Sequence, residues 1–339
     1  MIFESSKPPW EIEHKILVRI DAETDPSYGC DPYKRPIKEL LKSCIINVDK
    51  PRGPTSHEVA FTVRRLLGAE QAGHGGTLDP AVSGVLPILV DEATKCAEAV
   101  MKGGKEYVCA MRLHGDIPDD KLIEALQLFT GEIYQVPPVR SSVARRIRRR
   151  TIYRIEFIER DGRNVLLKIA CSGGTYIRKL CSDMGLYLGC GAHMQELRRT
   201  RAGPFTEDES HTLLDLYSAL KDYRESGDEE NLRSILRPIE EAVKHMPKIY
   251  VLDTAVDAIC HGANLAVSGV AKVEDSVKRG EAVAIMTLKN ELVALGRSLM
   301  NADEILEKER GIAVDTERVI MRRGTYPPIW KGGKRRVRE

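Results

Sequence analysis

The chain has 339 residues with Lys+Arg 52 against Asp+Glu 50 and a formal net charge of +2, a balance too even for composition alone to announce a nucleic-acid partner. Hydrophobic residues make up 42% and charged residues 30%, which excludes a chain disordered throughout, and the length favours two domains, one large and one small. No uninterrupted apolar run approaches the ~20 residues of a membrane span, and no basic leader with an apolar stretch opens the chain, so an intracellular, soluble protein is expected.

Residues 1–43 mix Pro, Tyr and charge with little periodicity and read as an extension that drapes over another part of the fold. Cys44 to Lys50 predicts a short buried strand ended by Pro51, followed by a tight Pro/Gly-rich loop. Thr55 and Glu58 stand at capping-box spacing ahead of the apolar stripe Val59, Ala60, Val63, Leu66 and Leu67, so a helix is expected there, stopping at Gly68. Between 105 and 114 the alternation places Tyr107, Cys109, Met111 and Leu113 on one face and Glu106, Val108, Ala110 and Arg112 on the other, which predicts a strand. Asp119 or Asp120 is expected to cap a helix carrying Leu122, Ile123, Leu126 and Phe129, broken by Gly131. Further strands are expected over 151–158 and 165–170, and a helix over 176–188. A polar, acidic helical stretch over 213–244 ends at Pro247. Short strands then follow over 282–287 and 291–298, joined by Lys289-Asn290, which places a domain boundary near Lys248. Strands and helices interleave irregularly, so the fold class is α+β with a mixed sheet.

Charge is segregated along the chain: Arg145, Arg146, Arg148, Arg149 and Arg150 crowd one stretch, Lys331, Lys334, Arg335, Arg336 and Arg338 crowd the tail, and 207–241 is rich in acids. The 8 cysteines are scattered without a Cys-x-x-Cys pair and read as reduced core thiols. Histidines and cysteines offer no cluster at zinc spacing.

The most informative stretch is Gly73-His74-Gly75-Gly76-Thr77-Leu78-Asp79-Pro80, followed by Ala81-Val82-Ser83-Gly84-Val85-Leu86-Pro87. Three glycines around a His and an Asp describe a close-approach loop that exposes a carboxylate to a ligand. The same pattern equally describes an Asp-Pro turn in which Asp79 bonds only nearby backbone N–H groups.

This loop resembles the Asp-bearing signature of the TruB family of pseudouridine synthases. Other segments arrive in that family's order: Lys50-Pro51-x-Gly53-x-Thr55-Ser56, Lys105-Glu106-Tyr107, Gly174-Thr175-Tyr176-Ile177-Arg178, and Gly191-Ala192-His193-Met194-x-Glu196-Leu197-Arg198-Arg199-Thr200-Arg201-x-Gly203-Pro204-Phe205. Gly75 and Ser83 depart from the commoner Ser/Thr and Thr without disturbing the loop's logic. The resemblance implies that Asp79 is the catalytic carboxylate, with Arg178 as an ion-pair partner that keeps it ionised and oriented. It implies that Tyr107 stacks on the target uracil and assists proton removal, that Leu197 walls the pocket, and that His74 stands where the extracted base leaves the RNA stack. Lys50 and Tyr176 are expected as supporting members. Uracil must be detached at N1, turned and reattached through C5 without redox change or hydrolysis, so neither cofactor nor metal is expected. A stacked base is unreachable, so the uridine must be flipped into the pocket.

Tyr28-Gly29-Cys30-Asp31-Pro32, and the short route from Leu113-His114-Gly115-Asp116 into the next helix, resemble the family's guide-dependent archaeal and dyskerin-like branch. The C-terminal region resembles its PUA domain through His261-Gly262-Ala263-Asn264, Arg279-Gly280-Glu281-Ala282-Val283 and Tyr326-Pro327-Pro328-Ile329-Trp330. The implied organisation is an N-terminal extension over 1–43 associated with the PUA domain, a catalytic domain over 44–247, a PUA RNA-binding domain over 248–330 and a basic tail over 331–339. The implied activity is isomerisation of uridine in rRNA as the catalytic subunit of a box H/ACA ribonucleoprotein. The implied partners are an H/ACA guide RNA, substrate rRNA and tRNA, a small zinc-ribbon-like core protein, a β-barrel accessory protein and a kink-turn-binding protein. The expected location is the cytoplasm of an archaeal cell, or the nucleolus of a eukaryotic one. A stand-alone tRNA T-loop synthase and a noncatalytic RNA-binding scaffold are the alternatives. The arginine run over 145–150, following Pro137-Pro138, is expected to form a mobile loop that grips RNA phosphates; as a bare charge run it equally describes a solvated face.

Overall fold

The computed structural model describes residues 1–137 and 144–328, so Pro138, Ile329, Trp330 and the basic tail over 331–339 lie outside the described residues. The chain forms two compact units, one made of residues 1–12 and 41–237 and the other of 13–40 with the chain from 238 onward.

The first unit is built on a mixed sheet whose strands run in the order Ile2–Glu4, Arg148–Asp161, Asn164–Cys171, Lys105–Leu113, Ala192–Ala202, Ser83–Val90 and Cys44–Lys50. Lys105–Leu113 lies at its middle, and its alternation is real: Tyr107, Cys109, Met111 and Leu113 are buried, while Val108, Ala110 and Arg112 are half-buried. Helix Ile177–Tyr187 turns Leu180, Cys181 and Met184 inward, and Cys181 Sγ lies 3.6 Å from Cys109 Sγ. Each fully buried apolar side chain of this size contributes about 1.5–3 kcal/mol. Helix Ser56–Leu67 starts on the expected capping box, in which Glu58 N–H donates to Thr55 Oγ1 at 3.1 Å and Thr55 N–H to the Glu58 carboxylate at 2.7 Å. It stops at Gly68, whose φ of 68° is left-handed.

The sequence reading did not anticipate Ser83–Val90 as a strand, because Pro87 interrupts its run. Pro87 is opposite Asn47 in the antiparallel pairing with Cys44–Lys50, and its carbonyl accepts from Gly75 N–H on the other side. That other edge is where pairing passes from Ala192–Ala202, at Ser83 and Gly84, to Ala72–His74, from Ile88 onward. The donor that proline lacks therefore falls in a gap of the ladder. The 213–244 stretch is not one helix. Thr212 and Asp215 form a capping box for Leu213–Ser226, Gly227 ends it at φ 78°, and Glu230–Ile235 then leads into the strand Leu236–Pro238. Asp119 and Asp120 lie within the first turn of Asp119–Leu128, whose N-cap is Pro118; there they complement the helix dipole without capping.

The expected single extension over 1–43 is divided. Residues 1–12 join the first unit, because Ile2–Glu4 adds an edge strand to Arg148–Asp161 and Trp10 packs edge-on against Tyr153 at 6.5 Å. Residues 13–40 join the second unit, where Ile16–Val18 pairs with Val270–Glu274.

Among the described residues the second unit has a seven-stranded sheet in the order Leu265–Ala266, Ile312–Val319, Leu292–Ser298, Ala282–Thr287, Lys248–Val251, Val270–Glu274 and Ile16–Val18. Its core gathers Ile249, Val256, Val270, Ile285 and Val293. The buried Glu291 carboxylate accepts from Cys30 N–H at 3.1 Å and Tyr326 O–H at 2.9 Å, and Arg35 forks onto Glu240 at 2.8 and 2.7 Å. Gly29 is required beside it, since at φ 61° a Cβ would sit 2.2 Å from Glu291 Oε2. Because Glu240 belongs with Arg35, the two compact units divide at 237/238, ahead of the expected boundary near Lys248. The α+β class, with a mixed sheet in the larger unit and a smaller β-rich one, agrees with the sequence reading.

Candidate active site

Asp79 stands on the loop between the strands Ala72–His74 and Ser83–Val90, and backbone anchors hold that loop on both sides of it. Ser56 Oγ donates to Leu78 O at 3.0 Å and accepts from Leu78 N–H at 2.8 Å, Gly53 N–H donates to Pro80 O at 2.9 Å, and Val82 N–H closes a turn on Asp79 O at 3.0 Å. The loop's glycines allow this path: Gly76 has φ 130°, and a Cβ on Gly75 would lie 2.4 Å from Val100 Cγ1.

The Asp79 side chain is exposed and meets Arg178, whose Nη2 donates to Asp79 Oδ2 at 2.5 Å. Arg178 lies in the first turn of Ile177–Tyr187. The start of that helix is pinned by the buried Gln135, which accepts from Tyr176 N–H at 3.0 Å and donates to Tyr176 O at 3.1 Å. Tyr176 thus fixes where Arg178 emerges.

Beneath the loop lie Lys50, Lys105 and Arg199, all buried. Lys50 Nζ donates to Pro51 O and Val82 O, each at 2.8 Å; Lys105 Nζ to Val100 O at 3.0 Å, Met101 O at 3.2 Å and Gly103 O at 2.7 Å; Arg199 to Val85 O at 2.7 Å and Gly76 O at 3.0 Å. Among the described residues none of the three forms an ion pair; backbone carbonyl dipoles hold them, those of the loop and its return strand for Lys50 and Arg199 and those of 100–103 for Lys105. Burial and the Arg199 charge push the Lys105 ammonium down to about 7. Burial lowers Lys50 as well, opposed by the attraction of Asp79.

Tyr107 pairs across the strands with Arg199, and Cys109 with Leu197, so these four side chains share one face of the sheet. Burial raises the Tyr107 phenol, and the neighbouring Arg199 opposes that rise. Leu197 is half-buried. His74 is half-buried too, with Nδ1 enclosed and lacking a hydrogen-bond partner among the described residues; burial, then the Arg199 charge, lower its pKa and favour the neutral ring.

The arginine run divides differently from expectation. Arg148, Arg149 and Arg150 lie in the strand Arg148–Asp161, paired with Gly131–Gln135. Arg149 meets Glu132 at 3.0 Å and Arg150 Nε donates to Gly174 O at 3.0 Å, so these two are engaged by the fold. Arg145 and Arg146 lie outside the strand and are exposed. The structure brings Asp79, Arg178, Tyr107, Lys50 and His74 to one neighbourhood and adds Arg199 and Lys105, which sequence reasoning quoted in motifs but gave no role. Lys105 shares the buried parity of Tyr107, Cys109 and Met111, whereas no apolar alternation over 192–202 marks the face that carries Arg199.

Family models match most of the chain: the TruB family pseudouridylate synthase N-terminal domain over residues 64–177, the tRNA pseudouridylate synthase B C-terminal domain over 178–244, the PUA domain over 247–320 and the DKCLD domain over 5–60. The chain is 54% identical over 316 residues to a probable tRNA pseudouridine synthase B of Archaeoglobus fulgidus, covering 93% of this chain and 97% of that one. It is 52% identical over 322 residues to the like-named protein of Methanopyrus kandleri, covering 95% of each. Among solved structures it is similar to a chain of a Cbf5-Nop10-Gar1 complex, with TM-score 0.91 and 51% identity over 95% of this chain and 98% of that one. It is also similar to a chain of an H/ACA RNP bound to a substrate RNA containing 2'-deoxyuridine, with TM-score 0.88 and 50% identity over 95% and 99%.

Proposed function

The chain belongs to the TruB family of pseudouridylate synthases, and we propose that it isomerises uridine to pseudouridine in rRNA as the guide-directed catalytic subunit of an H/ACA ribonucleoprotein. The observation that carries the chemistry is the Asp79–Arg178 ion pair, exposed at the loop tip beside the buried Tyr107. An anchored, exposed carboxylate near a buried aromatic ring suits a flipped uridine. Asp79 engages the ribosyl carbon as the N1 bond breaks, Tyr107 stacks on the detached uracil, and the base turns so that C5 takes the place of N1. The C5 proton is lost and N1 gains one, so neither oxidant nor water is consumed. Leu197 walls the pocket, while Lys50 and Tyr176 hold the loop and the helix that present Asp79 and Arg178. His74 lies on the strand leading into that loop, and its proposed role is to flank the path of the extracted base.

Guide dependence is supported by likeness along nearly the whole chain to subunits of H/ACA complexes. The proposed partners are a guide RNA, proteins of the Nop10 and Gar1 kind, and a kink-turn-binding protein on the RNA. The names of the archaeal relatives favour a second reading, a stand-alone synthase for tRNA. Pseudouridine formation on bare tRNA and on an rRNA fragment, each with and without guide and partner proteins, separates the two. Product in rRNA only with guide and partners supports the guided reading; product in bare tRNA alone supports the other. Asp79→Asn is expected to abolish product with RNA binding retained, and unchanged turnover would overturn the assignment of Asp79.

A further inference from the structure

The geometry points to Arg199 as the positioning residue that sets Asp79 and Tyr107 relative to each other. This rests on the synthase reading above. Arg199 grips the Asp79 loop from both ends, through Gly76 O before the carboxylate and Val85 O after it, at 3.0 and 2.7 Å. Its backbone lies flat against Gly84, where a Cβ would approach Arg199 O to 2.2 Å, so no side chain separates the loop's return strand from Ala192–Ala202. Arg199 is also the cross-strand partner of Tyr107, so the two side chains stand side by side on one face of the sheet. One planar, rigid fork thus holds both limbs of the loop while its residue stands beside the aromatic one across the strands.

Two consequences follow from the chemistry of the group. Guanidinium carries only donors, so in any hydrogen bond between the two the Tyr107 oxygen accepts, and the phenol hydrogen is free for another partner. In that arrangement Tyr107 donates to a base carbonyl or Asp79. Arg199 also forms no ion pair among the described residues, and His74, Lys50 and Lys105 all feel its charge. A buried cation without a carboxylate partner favours negative charge as it develops on the departing uracil. A lysine supplies the charge but cannot fork onto both loop carbonyls in one plane.

The test is a double-mutant cycle on the full-length chain in its assembled particle, measuring single-turnover pseudouridine formation and RNA affinity. R199K is expected to slow turnover by about 10²-fold, the cost of a misplacement near 1 Å, with affinity within about 2-fold of wild type. In a Y107F background the same substitution is expected to cost less than about 3-fold, because the partner through which it acts is gone. Equal losses in both backgrounds, or wild-type turnover by R199K, would overturn the proposal. Where R199K does not fold or Y107F is inactive, NMR of the arginine Nε–H signals decides. The Arg199 signal, identified by its contacts to the Tyr107 ring, is expected to exchange slowly and to move in Y107F; an unmoved signal rejects the link. A wild-type chain that makes no pseudouridine would overturn the synthase reading and leave the NMR test of the Arg199 link standing.

Discussion

Lys105 makes the first unit's stability depend on pH in a calculable way. Its side chain is 4% exposed and its ammonium is pushed down to about 7 from 10.5. The unfolded chain keeps the Lys105 proton up to its ordinary pKa, whereas the folded chain gives it up near 7. Between those values the unfolded state binds more protons, so stability rises with pH; below 7 the full cost of the buried charge, about 5 kcal/mol, is present. Lys105→Met cannot titrate. Integrating the linkage, wild type should gain about 2 kcal/mol over Lys105→Met when the pH moves from about 7 to about 9. Trp10 is a suitable reporter, because its ring packs over Gly104, where a Cβ would meet Trp10 Cζ3 at 2.6 Å. Trp330 is the chain's other tryptophan, so urea unfolding followed by fluorescence in a Trp330→Phe background reads this corner. A gap between wild type and Lys105→Met that does not change with pH would refute the reasoning. It would mean that the carbonyls of Val100, Met101 and Gly103 hold the proton in the folded state against burial.

Gly84→Ala places a Cβ 2.2 Å from Arg199 O at a φ of +104°, and should cost at least ~3 kcal/mol in urea unfolding; an unchanged midpoint would contradict the packing. Glu291→Gln in the second unit weakens the acceptor shared by Cys30 N–H and Tyr326 O–H, at a cost of about 2 kcal/mol, read as roughly 30-fold faster amide exchange at Cys30. Arg145→Glu and Arg146→Glu should each weaken RNA binding and lower the salt slope by about 1, whereas Arg149→Ala should change it little, since Arg149 already meets Glu132. A salt slope that fell equally for all three would place Arg149 on the RNA as well.

Local signals were read well wherever one segment carries its own physics. The Thr55–Glu58 capping box, the Gly68 stop and the Tyr107-to-Leu113 alternation are each complete within a dozen residues, so sequence determined them. The Asp79 motif belongs with these: the glycines that let its loop approach Val100 and Arg199 so closely are written beside the carboxylate they serve. The linear pattern failed where another part of the chain supplies the missing term. Ser83–Val90 is a strand despite Pro87 because the ladder has a gap at that point, and the gap exists only once Ala72–His74 and Ala192–Ala202 are in place.

The division of the N-terminal segment follows the same logic. Residues 1–12 and 13–40 have no strong pattern of their own, and their fate is set by an edge strand, Arg148–Asp161, and by two buried carboxylates, Glu240 and Glu291. The arginine run looked uniform in sequence, yet strand pairing commits Arg149 to Glu132 and leaves Arg145 and Arg146 exposed. Composition and motif therefore determined the fold class and the family, and singled out Asp79 and Arg178, which the structure brings into contact. Tertiary structure alone decided that Lys50, Lys105 and Arg199 lie buried among carbonyl oxygens, because a cation's tolerance of burial depends on acceptors brought from distant segments, which no local pattern records.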